Sequence, residues 1–183
     1  MRSWHRRSPP YFSTTENAAV AAVGPILRDP RHRGEYERAT LLVVACPFFH
    51  PTERFDDGTW LTPPRLPLGD PCRGMCMADP GTPVEPSLEE LRRYCNLGYA
   101  RGACSRFPSS GEAADAVRFS IAGDRDGGIQ IIYILEKDYG PLRHGPLVWD
   151  AAAHAFSTGI GSPTIEAQAR RFVESYLKRR VQS

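Results

Sequence analysis

The sequence predicts an α+β protein: a small antiparallel sheet, a few helices, and long Pro/Gly-rich loops around a four-cysteine site. Three observations predict it. Val117, Phe119 and Ile121 alternate with Arg118 and Ser120, a Gly-containing turn follows at 123–128, and an apolar run covers 129–136. That is the pattern of a β-hairpin. An amphipathic stretch at 163–180 comes after the strands, and helices segregated from an antiparallel sheet define α+β. Finally, four of the five cysteines fall between positions 72 and 104, in a chain with 17 Pro and 16 Gly. Such a composition reads as many turns around short elements.

Two parts are expected. Residues 1–35 form a basic, partly mobile N-terminal arm, in which 15–27 can make a short helix: Thr15 offers a cap and alanines favour the conformation. Residues 36–183 form a single metal-binding domain, with the cysteine region at 46–108. Within it, Leu41, Leu42, Val43 and Val44 read as a buried strand over 39–46, stopped at Pro47, which cannot donate to a ladder. Residues 47–71 hold six prolines and two glycines. They read as a long loop whose aromatic and leucine side chains pack on the core; a loop of that length in a compact domain is commonly functional. Ser87 and Glu90 have the spacing of a capping box, and Leu88, Leu91 and Tyr94 follow at helical spacing. Cys95 therefore ends a helix over 87–95, which Gly98 can close in a left-handed conformation. The hairpin of 117–121 with 129–136 comes next, then a second one of 147–150 with 154–158. The helix at 163–180 is last, with Ser162 as cap, Pro163 at its first position, and one face made of Ile165, Ala169, Phe172, Val173, Tyr176 and Leu177.

Composition narrows the function. With 41% hydrophobic residues in 183 the chain can bury an adequate core, and a formal net charge of +2 provides no field for nucleic acid. The Lys178, Arg179 and Arg180 run complements a helix C-terminus and needs no polyanion to explain it. No apolar run approaches the roughly 18 residues of a membrane span. Arg2, Arg6, Arg7 and the apolar stretch 18–27 imitate a secretory leader, but Glu16 and Asn17 directly precede that stretch and Pro25 interrupts it. A cytoplasmic location is the expectation. In that reducing compartment, five cysteines indicate a metal rather than disulfides, which would also leave one thiol over.

Thiolate is a soft ligand that selects zinc, copper(I) or an iron–sulfur cluster. Cys72 and Cys76 have three residues between them, whereas Cys95 and Cys104 have eight. The wider pair is no zinc knuckle. Ligands gathered from a strand end and a helix end suit a cubane cluster, and the Cys46–Pro47 dipeptide resembles the end of a bacterial ferredoxin cysteine run. Phe48, Phe49, Tyr94, Tyr99 and Phe107 could exclude water. Gly74, Gly98 and Gly102 could let backbone N–H groups approach sulfur. Four ligands suffice, and the expected set is Cys46, Cys76, Cys95 and Cys104. Cys72 lies in a turn-like polar stretch between Pro71 and Arg73 and is the possible substitute ligand. His50, shortly after Cys46, would give a mixed zinc site.

Other chemistries are absent from the sequence. Cys72 and Cys76 match the first two positions of a radical-SAM triad, but the third holds Asp79. There is no P-loop, dinucleotide glycine motif, HExxH, nucleophile elbow or CxxC. Asp124 and Asp126 start like a calcium loop, yet Gly128 and Leu135 stand where carboxylates are needed, so they read as turn residues. The expectation is an iron–sulfur protein, with a 4Fe–4S cluster, acting in electron transfer or as an accessory to a protein partner. The alternative is a structural zinc domain that serves as a protein-interaction module. An enzyme with an open metal position would need an acid or base, for which Asp70, Glu53 and His50 are the candidates.

Overall fold

The computed structural model describes residues 44–55, 66–109, 111–125 and 128–181. In chain order these form β1 (Phe49–Arg54), β2 (Cys72–Cys76), a helical turn α1 (Leu88–Glu90) that widens into a π-helical turn (Leu91–Cys95), β3 (Ala116–Arg125), β4 (Gly128–Lys137), β5 (Gly140–Asp150), β6 (Ala155–Phe156) and α2 (Pro163–Val181). The architecture is mixed α+β. The expected N-terminal arm and its helix lie outside the described residues, as do the first five positions of the strand expected at 39–46.

The main sheet has four antiparallel strands in the order β3-β4-β5-β6. Its first hairpin is the one the alternation predicts, from Ala116 opposite Glu136 to Arg125 opposite Gly128. Val117, Phe119, Ile129, Ile131, Leu135, Leu147 and Trp149 are buried, the period-two pattern of a sheet with one covered face. The cover is α2, whose Ile165, Ala169 and Val173 are buried while Phe172 stacks on Phe119 at 5.7 Å. Arg180 and the Tyr176 hydroxyl both bond the Asp124 carboxylate, tying the helix end to the hairpin end.

The sequence reading understates β5. It spans Gly140–Asp150 and pairs with β4 along its whole length, with β6 covering only Trp149 and Asp150. Pro141 and Pro146 hid it, because prolines argue against a central strand, but an edge strand tolerates them. The β4–β5 turn carries no central glycine. Asp138 and Tyr139 both take positive φ, 49° and 62°, as a tight hairpin turn demands, and Asp115 accepts the Asp138 N–H at 2.8 Å.

A second correction concerns 47–71, expected to be a loop. Its beginning is β1, which pairs antiparallel with β2, and Cys72 sits inside a strand rather than a polar turn. Two features masked this pairing. Pro51 stands within β1, and the register shifts between Pro51 and Glu53, a bulge. Gly74 permits the approach: a Cβ there would lie 2.1 Å from the His50 carbonyl oxygen. Its role is close backbone packing, not the access to sulfur expected from sequence. Residues 56–65 of that stretch lie outside the described set. Ala45 bridges to Val117, with N–H···O distances of 2.8 and 3.0 Å, and so links the β1 side of the molecule to the main sheet.

Candidate metal centre

Four separate segments bring cysteines to one small cavity of about 20 Å³. Cys46 directly follows the Ala45 bridge, and its N–H donates to the Cys95 carbonyl at 3.2 Å. Cys76 ends β2, held by reciprocal bonds with Val84 of 2.7 and 3.2 Å. Cys95 ends the π-helical turn. Cys104 caps a tight turn, its N–H donating to the Ala100 carbonyl at 2.8 Å. All four line the cavity together with Phe48 and Phe107, whose rings meet edge-to-face at 5.2 Å.

Local chemistry accounts for these positions. The capping box is formed: Ser87 Oγ accepts from the Glu90 N–H, and Glu90 accepts from the Ser87 N–H at 2.8 Å. The helix it starts does not stay α-helical. Asn96 N–H reaches back to the Leu91 carbonyl at 3.1 Å, the five-residue step of a π-turn, a feature often found where a side chain is placed for function. Gly98 then takes φ +79°, the left-handed conformation expected of it, and its N–H donates to the Val44 carbonyl at 2.8 Å rather than back into the helix.

Burial dominates the electrostatics. It pushes the Cys46 thiol up to about 12; backbone N–H groups of Phe48 and Phe49 oppose this, and the nearby Cys76 and Cys104 add to it. Cys95 is raised further, first by burial and then by Cys46, Cys76 and Cys104. Both are neutral thiols near pH 7, and a metal must displace their protons to bind. The four do not close into a coordination set as they stand: among the described residues, no three or more His, Cys, Asp or Glu form a group that could hold a metal ion. A tetrahedral zinc site, with Zn–S near 2.3 Å, would draw its sulfurs to within about 3.8 Å of one another. Neutral thiols have nothing to pull them so close.

Cys72 is elsewhere. It is 1% exposed, and its Sγ donates to the Asp70 carbonyl at 3.6 Å. It lines a separate polar groove with Glu53, Arg54, Asp70, Arg171, Glu174 and Ser175. Burial raises its thiol to about 12 as well. Of the acid–base candidates, Asp70 and Glu53 belong to that groove, where Arg54 pairs with Asp70 at 3.4 Å. His50 lies opposite Met75 in β1 and lines neither cavity. His144 is exposed on β5.

Two buried amides escaped the sequence reading. Asn96, 0% exposed, accepts the Cys72 N–H at 2.8 Å and donates to the carbonyls of Cys72 at 2.9 Å and Leu91 at 3.1 Å. It substitutes for a strand neighbour and fastens β2 to the π-turn. Gln168, also 0% exposed, donates from α2 to the carbonyls of Cys46 at 2.9 Å and Phe49 at 2.5 Å. A signal for Gln168 existed: it falls on the apolar stripe of α2, between Ile165 and Phe172, where a polar side chain must find buried partners.

The cations of α2 are engaged by the chain itself. Arg170 bonds the His154 carbonyl, Arg171 pairs with Glu174 at 2.8 Å, Lys178 approaches Asp70 at 4.0 Å, and Arg180 pairs with Asp124. Among the described residues no helix is long and apolar enough to cross a membrane. Comparison with known protein families, with curated proteins and with solved structures finds no match to this chain.

Proposed function

We propose that the protein binds an iron–sulfur cluster, of the 4Fe–4S type, through Cys46, Cys76, Cys95 and Cys104, and that it acts in electron transfer or as an accessory to a protein partner. One observation carries the reading: four cysteines from four segments line a single cavity, while the fifth, Cys72, opens onto a different one. The donor set agrees with it. Thiolates are soft ligands, and the Phe48 and Phe107 rings would limit water at the sulfurs. Exposure differs around the site: Cys46 and Cys95 are buried, whereas Cys76 and Cys104 are partly exposed. A cluster held there would turn one edge toward solvent, which is the edge an electron-transfer partner needs.

The test is the metal content of protein purified without oxygen. It should be brown, contain iron and acid-labile sulfide in equal amounts, and cycle reversibly between two oxidation states. A cluster that does not cycle would leave the binding reading and remove electron transfer. Colourless protein with stoichiometric zinc would replace the cluster with a structural zinc site, and folded protein with neither would refute both.

A further inference from the structure

We infer that Gln168 is a positioning residue for this centre: its amide clamps the 46–49 turn from α2, so that the turn holds Cys46 at the cavity it shares with Cys76, Cys95 and Cys104. The inference rests on Cys46 being a ligand, as proposed above.

The geometry is specific. The Gln168 amide nitrogen has two protons and spends both on the turn, one at the Cys46 carbonyl and one at the Phe49 carbonyl. The Phe49 N–H also donates to the Cys46 carbonyl at 3.2 Å, which closes the turn on itself. The turn so held carries Cys46, one of the four cysteines that line the cavity. Outer contacts that fix the position of a ligand tune the metal it would hold.

The rest of the side chain argues against a filler role. Gln168 Oε1 is buried with no hydrogen-bond partner, a cost that an apolar residue of the same length would avoid. Its buried neighbours on α2, Ile165, Ala169 and Val173, are apolar, and Ser175 two turns on is the other buried polar side chain of the helix. The donor half of the amide is therefore the half with a structural use, and its use is to hold the turn that carries Cys46.

The experiment compares unaltered protein with Gln168→Met, an apolar replacement of similar length, and with Val173→Ala, a packing change on the same helix face. In cluster-loaded protein, Gln168→Met should keep iron and sulfide but shift the reduction potential and alter the electron paramagnetic resonance spectrum of the paramagnetic state. Val173→Ala should leave both unchanged. An unchanged potential and spectrum in Gln168→Met would overturn the inference, as would an equal shift in Val173→Ala. If Gln168→Met does not fold, Gln168→Glu takes its place, since its carboxylate cannot donate to either carbonyl. A second arm uses metal-free protein and is independent of the cluster. There, amide exchange at Phe49 should speed up in the variant relative to β3 and β4, and unchanged exchange would overturn the clamp. Unaltered protein that never takes up iron would instead refute the proposed function, leaving this second arm to decide on the clamp.

Discussion

Cys72 and Cys76 occupy the two ends of one strand and line different cavities. Serine substitution should separate them. Ser offers a harder, poorly ionised oxygen, so Cys46→Ser, Cys76→Ser, Cys95→Ser and Cys104→Ser should each lose iron and sulfide. Cys72→Ser should retain both, at a stability cost of about 1–2 kcal/mol for disturbed packing. Full metal in both Cys95→Ser and Cys104→Ser would mean that the site does not exist. Asn96 is a buried latch between β2 and the π-turn. Asn96→Ala would strand the buried N–H and C=O of Cys72, and an orphaned buried group costs about 1–3 kcal/mol. The unfolding free energy of this variant, read by denaturant titration, should fall accordingly, by about 2–6 kcal/mol in total. A loss under about 0.5 kcal/mol, the level of a neutral surface change, would show that the latch contributes nothing.

At the scale of the element, the α1 and π-turn unit carries Cys95 to the cavity. Its capping box leaves Ser87→Ala an expected loss of about 1 kcal/mol. The loss should appear as faster amide exchange at 88–95, while the four-stranded sheet is unaffected. The same box predicts a pH response. The Ser87 N–H above all, with the Ser87 hydroxyl and the Arg106 guanidinium, favours ionised Glu90 and lowers its pKa, against the opposing effect of burial. Because the folded value lies below the unfolded one, the stabilisation is complete above the ordinary Glu value near 4.3 and is lost as pH falls through the folded value. Exchange at 88–95 should therefore rise on acidification below about pH 4.3, and Glu90→Gln should remove that rise. An identical acid response in the Gln variant would place its origin elsewhere. Arg106 pairs with Glu90 and also lines the cysteine cavity, so the box and the cavity wall loosen together.

Across the whole molecule, one apolar core joins Phe119, Ile131, Leu147, Trp149, Ala169 and Val173 of β3, β4, β5 and α2 to Phe49, Leu68, Leu91 and Phe107 of the cysteine region. That region adds the β1–β2 pairing and the Asn96 latch. Ligands from distant positions close long loops, so a metal bound there would be coupled to folding. Removing the metal from loaded protein should loosen 47–108 far more than the hairpins and helix of the C-terminal half. Uniform amide protection before and after chelation would contradict this.

The sequence by itself determined the elements whose signals are local. Alternation over 117–121 and 129–136, the capping box at Ser87 and Glu90, the left-handed Gly98 and the apolar stripe from Ile165 to Leu177 each depend on neighbours within a few residues. It also suggested Cys46, Cys76, Cys95 and Cys104 as ligands ahead of Cys72, a choice that the serine variants test. The stated reason for setting Cys72 aside was mistaken, since Cys72 lies in a buried strand and not in a polar turn. Only the tertiary structure decided the pairing of β1 with β2, because Pro51 and a bulge break the local pattern and the pairing depends on Gly74 meeting a distant backbone. It decided the length of β5 for a similar reason: the partner strand, not the proline-bearing segment itself, supplies the stabilisation. The placements of Asn96 and Gln168 were decided there too. A buried amide is defined by the carbonyls and N–H groups it meets, and for Gln168 those partners are more than a hundred positions away in the chain.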